Sequence, residues 1–313
     1  HKLKIIGGKC KVFDHGHVIL LDTMPSYLKH DDSLGAERKI LDAARTSTNL
    51  DSITKSVKNG QPLTNQTLKY DQNKNIKLLQ YLMKHNHMTP FEQVQLQFHL
   101  RLPMFVFGQF IRYRTGSWNV ESARYTKYLP QFYVPDKTRL CKQSKTNKQN
   151  SSNEIIEEEG IRLFDDTLEQ CKNNYLNYER LVEQYNLSKE VARISNPQNM
   201  YISCVLSMNL RNILHLIHER THHSAQYETR KYAFAIYNLV SKVAPITTDI
   251  FLKSQIFNVN INYDDLQYNG TVGDYFIKTD LIKEQINTIK NLKYDYEHML
   301  PEIIYDQEYD KKE

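Results

Sequence analysis

The densest group of side chains able to bind a ligand lies between Gln109 and Tyr125. The segment carries three arginines, two serines, a glutamine and an asparagine at the end of an apolar stretch. Arginine guanidinium groups bind phosphate through paired hydrogen bonds, and the small residues Gly116 and Ala123 would let backbone amides approach a ligand. A ligand site and a solvated loop after a helix are both compatible with this composition.

A second group, His218-Glu219-Arg220-Thr221-His222, has the H-E-x-x-H spacing of the zinc-protease helix. On a helix both histidines would share the face that binds Zn²⁺, with Glu219 as general base. The longer zinc-protease motif continues with a glycine and a third histidine, where this chain has Ala225 and Glu228. A zinc hydrolase built on His218 and His222 stays an alternative, although we expect no metal. The other interpretation is a helix end, with Ser224 capping the next helix.

A third group, Arg211, His215 and His218, lies on one flank of the helix that this apolar spacing predicts. A helix with one buried face and one cationic flank is suited to border a phosphate or a cofactor. An exposed helix face explains the same pattern equally well.

The composition is that of a globular protein rather than a fibrous or membrane protein. The 313 residues include 41 Lys+Arg and 36 Asp+Glu, with 25% charged and 40% apolar residues. No apolar run reaches the ~20 residues that a membrane helix needs. The 4 cysteines are widely spaced, without a C-x-x-C pair, so neither a disulfide framework nor a cysteine-rich zinc site is expected. We therefore expect a cytoplasmic protein with no membrane partner, and a mild positive charge that suits an anionic ligand.

Hydrophobic periodicity predicts strands and helices interspersed along the chain. Strands are predicted at 10–23, 94–101 and 200–208, and helices at 36–46, 73–85, 103–111, 154–185, 210–217 and 224–244. In the second strand Gln95, Gln97, His99 and Arg101 fall on the predicted polar face. Thr89-Pro90-Phe91-Glu92 has the pattern of a capped helix start.

These elements favour one α/β (α+β) domain over residues 1–257 rather than two domains. Residues 48–70 and 136–153 are polar and are expected to be inserted loops, and 258–313 is expected to be a C-terminal extension. The basic run at 142–148 leaves a nucleic-acid-binding module as an alternative, although a disordered loop is the simpler interpretation.

The chain resembles the flavin-dependent thymidylate synthases, the ThyX family. The family signature R-H-R-x-x-S-x-N-E-x-S-x-R-Y aligns without a gap on residues 112–125, which read R-Y-R-T-G-S-W-N-V-E-S-A-R-Y. Further matches in the same order are His87-Met88-Thr89-Pro90-Phe91-Glu92, Ala43-Ala44-Arg45-Thr46-Ser47, Ala192-Arg193-Ile194, Asn209-Leu210-Arg211, and Arg220 with Ser224-Ala225-Gln226-Tyr227-Glu228. They run from about 15 to 135 and from 155 to 255.

The resemblance implies a central, mostly antiparallel sheet flanked by helices and a homotetramer with FAD sites at the subunit interfaces. It also implies conversion of dUMP to dTMP, with 5,10-methylenetetrahydrofolate as carbon donor, FAD as redox carrier and NADPH as reductant. No enzyme cysteine attacks the nucleotide in this family, which agrees with the absence of cysteine from both motif clusters. Nucleic acid is not an expected partner.

The resemblance also gives individual residues a role. The positions that correspond to the dUMP pocket are Gln109, Arg112, Ser122, Ala123, Arg124, Arg193 and Arg220. The positions that correspond to the FAD site are His87, Thr89, Arg112, Tyr113, Arg114, Asn209, Arg211 and His215. Arg220 is the implied catalytic residue, because a fixed guanidinium at the uracil edge favours ionisation of N3. Arg193 is implied to reach the nucleotide from a neighbouring subunit.

Four departures from the family pattern leave the outcome of the reaction open. Tyr113 replaces a histidine, Val120 replaces a glutamate that is followed here by Glu121, and His215 replaces an asparagine. In addition, His223-Ser224 stands where the family has a serine followed by a histidine. Valine cannot make the polar interaction of that glutamate, so the interaction is either absent here or made by Glu121. A related dUMP-modifying enzyme, such as a hydroxymethylase or a slow flavin oxidase, is the nearest alternative.

Overall fold

A computed structural model describes residues 5–25, 36–46, 72–257, 266–268, 275–277, 291–293, 295–296 and 298–305. Its strands are β1 Gly8–Val12, β2 Gly16–Met24, β3 Gln95–Pro103, β4 Ser117–Val120, β5 Cys141–Gln143, β6 Ser151–Ile155, β7 Tyr201–Asn209, β8 Leu266–Tyr268, β9 Tyr275–Ile277 and β10 Ile303–Tyr305. Its α-helices are α1 Glu37–Thr46, α2 Gln72–Lys84, α3 Met104–Phe110, α4 Glu158–Glu183, α5 Lys189–Ala192, α6 Leu210–Thr221, α7 Tyr227–Val243 and α8 Pro245–Phe251. Short 3₁₀ turns cover Thr89–Gln93, Lys137–Arg139 and Arg193–Ser195, and a π-helical turn covers Leu252–Ile256.

The centre of the fold is a six-stranded sheet in the order β10-β1-β2-β3-β7-β4. All its neighbouring strands are antiparallel, which confirms the predicted sheet. The longest pairing joins β3 to β7, from Gln95 opposite Asn209 to Pro103 opposite Tyr201. Because side chains alternate along a strand, Leu96, Phe98 and Leu100 all enter the core.

Helix α7 covers the sheet and supplies much of the core. Its apolar residues are buried along most of its length, and it contacts both α6 and the strands β1 and β2. The hydroxyl of Tyr232 on α7 donates to the carbonyl of Arg101 on β3 at 2.9 Å, so a hydrogen bond also fixes helix to sheet. No helix in the described ranges is both long and apolar enough to cross a membrane.

Arg101 lies on the polar face of β3, as predicted, but that face is buried at this position instead of exposed. The residue is only 8% exposed. Nε and Nη2 donate to Gln131 Oε1 at 2.9 and 2.6 Å, and Nη1 donates to Ser203 Oγ at 2.9 Å. Nη1 also lies 3.8 Å from the Glu121 carboxylate. A buried guanidinium needs such partners, so β3, β7 and the chain after β4 are held together at this point.

Two local predictions are corrected by the structure. The segment 136–153 is predicted to be a loop, but Cys141–Gln143 and Ser151–Ile155 pair as a hairpin after the 3₁₀ turn at Lys137–Arg139. Thr89 does not cap a helix: it is the first residue of a 3₁₀ turn whose cap is Met88, without a side-chain bond.

Part of the chain after residue 257 packs against the domain. Ile303–Tyr305 pairs with β1 and forms the edge of the central sheet. The ring of Tyr296 is buried 5.0 Å from the rings of both Phe234 and Tyr237 on α7. The predicted inserted loop at 48–70 lies outside the described residues.

Replacing Arg101 with methionine should lower the free energy of unfolding by about 3–5 kcal/mol, because the Glu121 carboxylate loses its cation while partly buried. Urea denaturation at a fixed protein concentration would measure the loss. The exposed Arg162→Met is the control, expected within about 0.5 kcal/mol of the wild type. The double variant Arg101→Met with Glu121→Gln should recover part of the loss. A loss below about 1 kcal/mol for Arg101→Met would contradict this role.

Candidate active site

Helix α6 positions one group of the predicted site residues. Strand β7 ends at Asn209, whose side-chain oxygen accepts from the backbone N–H of Asn212 at 3.0 Å and so caps the helix. Within the first turn, Arg211 forms an ion pair with Glu92 at 2.5 Å, which joins α6 to the 3₁₀ turn that begins at Thr89. Arg211 and His215 both lie on the exposed side of α6, as the predicted cationic flank requires.

Tyr113 lies against the same helix. Its side chain is 9% exposed, and its ring meets the His215 ring edge-to-face with centroids 5.9 Å apart. The guanidinium carbon of Arg220 lies 5.3 Å from the centroid of the Tyr113 ring, within reach of a cation–π interaction. Burial raises the pKa of Tyr113, and the charge and hydrogen bond of Arg220 oppose that shift.

Arg220 faces a large cavity with an unused donor. The cavity measures about 1060 Å³ and is lined by Arg220, by Gln109 of α3, and by side chains from α4, the hairpin and the start of α7. The Nε of Arg220 is buried and has no hydrogen-bond partner. A buried donor left without a partner is unfavourable, so this position is suited to an acceptor brought by a ligand.

A second group of predicted residues gathers around α5. Ser122 accepts backbone hydrogen bonds from Tyr125 and Thr126 and so forms a turn, in which Ala123 is buried. Nη2 of Arg124 lies 3.7 Å from the carboxylate of Glu190 on α5. Arg193 follows α5 directly and is exposed. Burial raises the pKa of Tyr128, and the Arg193 charge is among the groups that lower it, which places Arg193 near the Ser122 turn.

Within the described residues, no hydrogen bond or ion pair connects the α6 group to the α5 group. The remaining predicted residues, His87, Thr89, Arg112 and Arg114, are exposed. Arg112 donates through Nε to the carbonyl of Gly108 at 3.3 Å. His87 lies beside Tyr81 and His85, with ring centroids 5.8 and 6.1 Å away. The predicted residues of one chain therefore fall into two groups, here called the two half-sites.

Two features of the signature segment are used for packing. A Cβ on Gly116 would lie 2.5 Å from Met208 Cε and 2.8 Å from Leu206 Cδ1. The space beside this glycine is therefore filled by side chains of β7 and is not available to a ligand. Glu121 does not stand in for the glutamate that Val120 replaces, because its Oε2 accepts from the backbone N–H of Ser203 at 3.0 Å and lies near Arg101. The Glu121 carboxylate therefore points toward the protein interior.

Several cavity residues were missed by the sequence analysis. The missed set comprises Tyr133, Arg139, Asn199, Tyr227, Glu228 and Arg230. Tyr133 donates to Glu228 at 3.0 Å, which raises the pKa of Tyr133 in addition to the effect of burial. The hairpin reaches this wall through Asn150, whose Nδ2 donates to the carbonyl of His223 at 3.2 Å. The resemblance includes Tyr227 and Glu228 in a matched segment, but no local spacing points to Arg139.

The H-E-x-x-H sequence does not form a two-histidine helix face. Helix α6 ends at Thr221, and His222 already has extended backbone angles. Nδ1 of His218 lies 3.1 Å from Glu219, while Nδ1 of His222 lies 2.7 Å from Ser224 Oγ. Ser224 therefore does not cap α7, whose cap is Gln226. In the part of the chain that the structure describes, no group of three or more His, Cys, Asp or Glu is placed to hold a metal ion.

His218→Ala and His222→Ala should each leave the zinc content of the purified protein unchanged, because their ring nitrogens point to different partners. Elemental analysis by mass spectrometry measures the metal per chain. Stoichiometric zinc in the wild type that either substitution removes would restore the zinc-hydrolase interpretation.

Comparison with known proteins identifies the family of the chain. The family model described as "Thymidylate synthase complementing protein" matches residues 30–246. The chain is 37% identical over 179 residues to the flavin-dependent thymidylate synthase of Kosmotoga olearia, covering 56% of this chain and 75% of the relative. It is 32% identical over 243 residues to the enzyme of that name from Wolbachia pipientis wMel, covering 78% of this chain and 76% of the relative. The crystal structure of a UMP/dUMP methylase PolB from Streptomyces cacaoi bound with 5-Br dUMP has a TM-score of 0.62 at 25% identity, covering 77% of this chain and 96% of that chain. The chain belongs to the family of the flavin-dependent thymidylate synthases.

Proposed function

We propose that this chain methylates dUMP to dTMP with a flavin, taking the carbon from 5,10-methylenetetrahydrofolate and the reducing equivalents from NADPH. Family membership supports a flavin-dependent methyltransferase acting on dUMP. The choice of FAD, of the folate and of NADPH rests on the resemblance in the signature segment.

The observation that carries the proposal is the unused donor of Arg220. Its buried Nε has no partner, and its guanidinium is held against Tyr113 in a cavity that Gln109 shares. A fixed cation with free N–H groups stabilises negative charge that develops on a bound ring. We therefore propose that Arg220 donates hydrogen bonds to the uracil edge and stabilises the ionised form of N3.

The exposed side of α6 and the neighbouring turns fit a flavin nucleotide. Arg211 and His215 present a guanidinium and an imidazole on the exposed side of α6, and the resemblance adds Thr89, Arg112, Arg114 and Asn209 to the flavin-binding positions. Guanidinium groups bind a pyrophosphate through paired hydrogen bonds. The largely buried Tyr113 ring contacts the His215 ring edge-to-face and the Arg220 guanidinium through a cation–π interaction. A bound FAD would supply the hydride that reduces the transferred carbon. The residues named here would hold and orient it, and the resemblance puts His87 near the flavin ring.

The two half-sites support assembly as a homotetramer. Ser122, Arg124 and Arg193 form a cationic patch that suits the nucleotide phosphate, while Arg220 lies at the other half-site. Since no described hydrogen bond or ion pair joins the two within one chain, we propose that the Arg193 of one chain completes the pocket of another.

Arg220→Lys should bind dUMP measurably but form dTMP about 10²–10³ times more slowly, because lysine keeps the charge but loses the planar fork. Flavin reduction by NADPH and dTMP formation are measured separately on the FAD-loaded protein, with the wild type as reference. Flavin reduction should stay within a factor of about three of the wild type.

The outcomes separate three roles for Arg220. Reduced dTMP formation with intact flavin reduction supports the role proposed here. Normal dTMP formation would make Arg220 a helix-end arginine, and loss of FAD binding would make its role structural. A wild type that forms no dTMP from dUMP with these co-substrates would refute the proposed function itself.

Arg124→Ala and Arg193→Ala should raise the Kd for dUMP by about one to two decades while leaving the Kd for FAD nearly unchanged. Each arginine is expected to donate charge-assisted hydrogen bonds worth roughly 1.5–3 kcal/mol. Calorimetric titration of both ligands measures the difference, and Arg162→Ala on the exposed surface of α4 is the matched control. Equal losses for the two ligands would show disassembly or misfolding rather than a nucleotide contact.

A further inference from the structure

A cationic cluster in the cavity has no role in the reaction described so far. We define it as Arg139, Arg230 and the ring of Tyr227, all three of which line the cavity. The guanidinium carbons of Arg139 and Arg230 lie 4.1 and 5.9 Å from the centroid of the Tyr227 ring. The cluster thus gathers two guanidinium groups around one aromatic ring.

The charges of the cluster are not neutralised by the described residues. Neither arginine has an ion pair or a side-chain hydrogen bond in the described part of the chain, and the Nε atoms of both are buried without a partner. The buried Glu228 lines the same cavity, and its charge opposes the lowering of the Arg230 pKa by burial, but its carboxylate forms no ion pair with the cluster and accepts a hydrogen bond from Tyr133. Nζ of Lys231 adds a third cation 5.5 Å from the Tyr227 ring.

The positive charges of the cluster lower the pKa values of neighbouring cations. Burial, and then the charge of Arg139, lower the pKa of Arg230. Burial, and then the charge of Arg230, lower the pKa of Lys231. Like charges brought together at a partly buried position are unfavourable, and an anion bound between them would remove that cost.

The inserted hairpin makes the cluster possible. Arg139 ends the 3₁₀ turn at Lys137–Arg139, which Asp136 caps by accepting from the Thr138 N–H at 2.8 Å. The hairpin residues 149–153 form a polar wall of the cavity, and Phe105, Phe164 and Leu168 form an apolar one. A pocket with an apolar wall and a few convergent polar groups is typical of a small-molecule site.

The cavity is also larger than one ligand of ordinary size needs. Its volume of about 1060 Å³ slightly exceeds the ~300–1,000 Å³ usual for small-molecule pockets. The end at Gln109 and Arg220 belongs to the nucleotide in the function proposed above. The cluster therefore has room for part of a second ligand.

We propose that the cationic cluster is an anion-binding subsite that holds the oxyanion end of a co-substrate, with the ligand's ring system against the apolar wall. This inference rests on the proposed function for the identity of the ligand. Two co-substrates carry such a group: NADPH carries phosphates, and a folate carries glutamate carboxylates. The subsite chemistry is the same for both, since each presents several anionic oxygens to paired guanidinium groups.

The test is calorimetric titration of the FAD-loaded protein with two probes, 2′,5′-ADP for the phosphates and tri-γ-glutamate for the carboxylates. At least one probe should bind the wild type saturably. Arg139→Gln should weaken that probe about ten-fold or more, and Arg139→Lys, which keeps the charge but not the fork, should weaken it less. Lys137→Gln is the matched control: it removes an exposed cation from the same 3₁₀ turn and should change the Kd less than about two-fold.

The outcomes identify the ligand or overturn the inference. Loss of 2′,5′-ADP binding alone assigns the subsite to the reductant, and loss of tri-γ-glutamate binding alone assigns it to the folate. Binding of neither probe, which a neighbouring subunit's carboxylate on the cluster would produce, overturns it, as does an equal loss in Arg139→Gln and Lys137→Gln. The affinity for dUMP should stay unchanged in Arg139→Gln. If the wild type binds a probe but forms no dTMP, the proposed function fails while the subsite stands.

Discussion

The buried guanidinium of Arg101 is the constraint on which the arrangement of the site depends. A charge removed from water is tolerated only where its donors are paired, and Arg101 meets this demand with Gln131, Ser203 and Glu121. These partners come from the loop before the hairpin, from β7 and from the end of β4. Ser122 follows Glu121 directly, so the buried charge of Arg101 fixes where the Ser122 turn begins. The same network explains why Glu121 cannot substitute for the glutamate that Val120 replaces: its carboxylate is already committed to the interior of the fold.

Helix α6 fixes the position of the other half-site, as Arg101 fixes the position of the Ser122 turn. It begins where β7 leaves the sheet, at the Asn209 cap, and its exposed side presents polar groups at intervals of about one turn. Its far end carries Arg220, held over Tyr113 by a cation–π contact rather than by a carboxylate. This contact fixes the position of the guanidinium and leaves its Nε–H without a partner. The donor stays free for a ligand, and the buried, unpartnered Nε is the visible result.

The hairpin of β5 and β6 forms part of the cavity wall. Its residues 149–153 line the cavity, and Asn150 joins the hairpin to the core fold by donating to the carbonyl of His223. Arg139, in the 3₁₀ turn before the hairpin, lies over the Tyr227 ring at the start of α7. The same cavity therefore contains Gln109 and Arg220 together with the cations Arg139 and Arg230.

The sequence by itself determined the family, the antiparallel sheet and most helices, because these depend on local periodicity and on a signature whose residues are close along the chain. The spacing of Leu96, Phe98 and Leu100 is enough to define a strand with a buried face. It could not show that the opposite, polar face is also buried at Arg101, because the partners of Arg101, Gln131 and Ser203, are distant in sequence and only the packing of strands brings them within reach. The Arg139 cluster was beyond prediction for the same reason: a polar segment with two short strands carries no periodic signal. The zinc-like histidine spacing shows the opposite case, in which a local sequence pattern is present but the structure does not form the site. Helix α6 ends at Thr221, one residue before the second histidine. Tertiary structure decided which charges are buried, which are paired and which stay available to a ligand, because each of these depends on the surfaces that meet and not on neighbours along the chain.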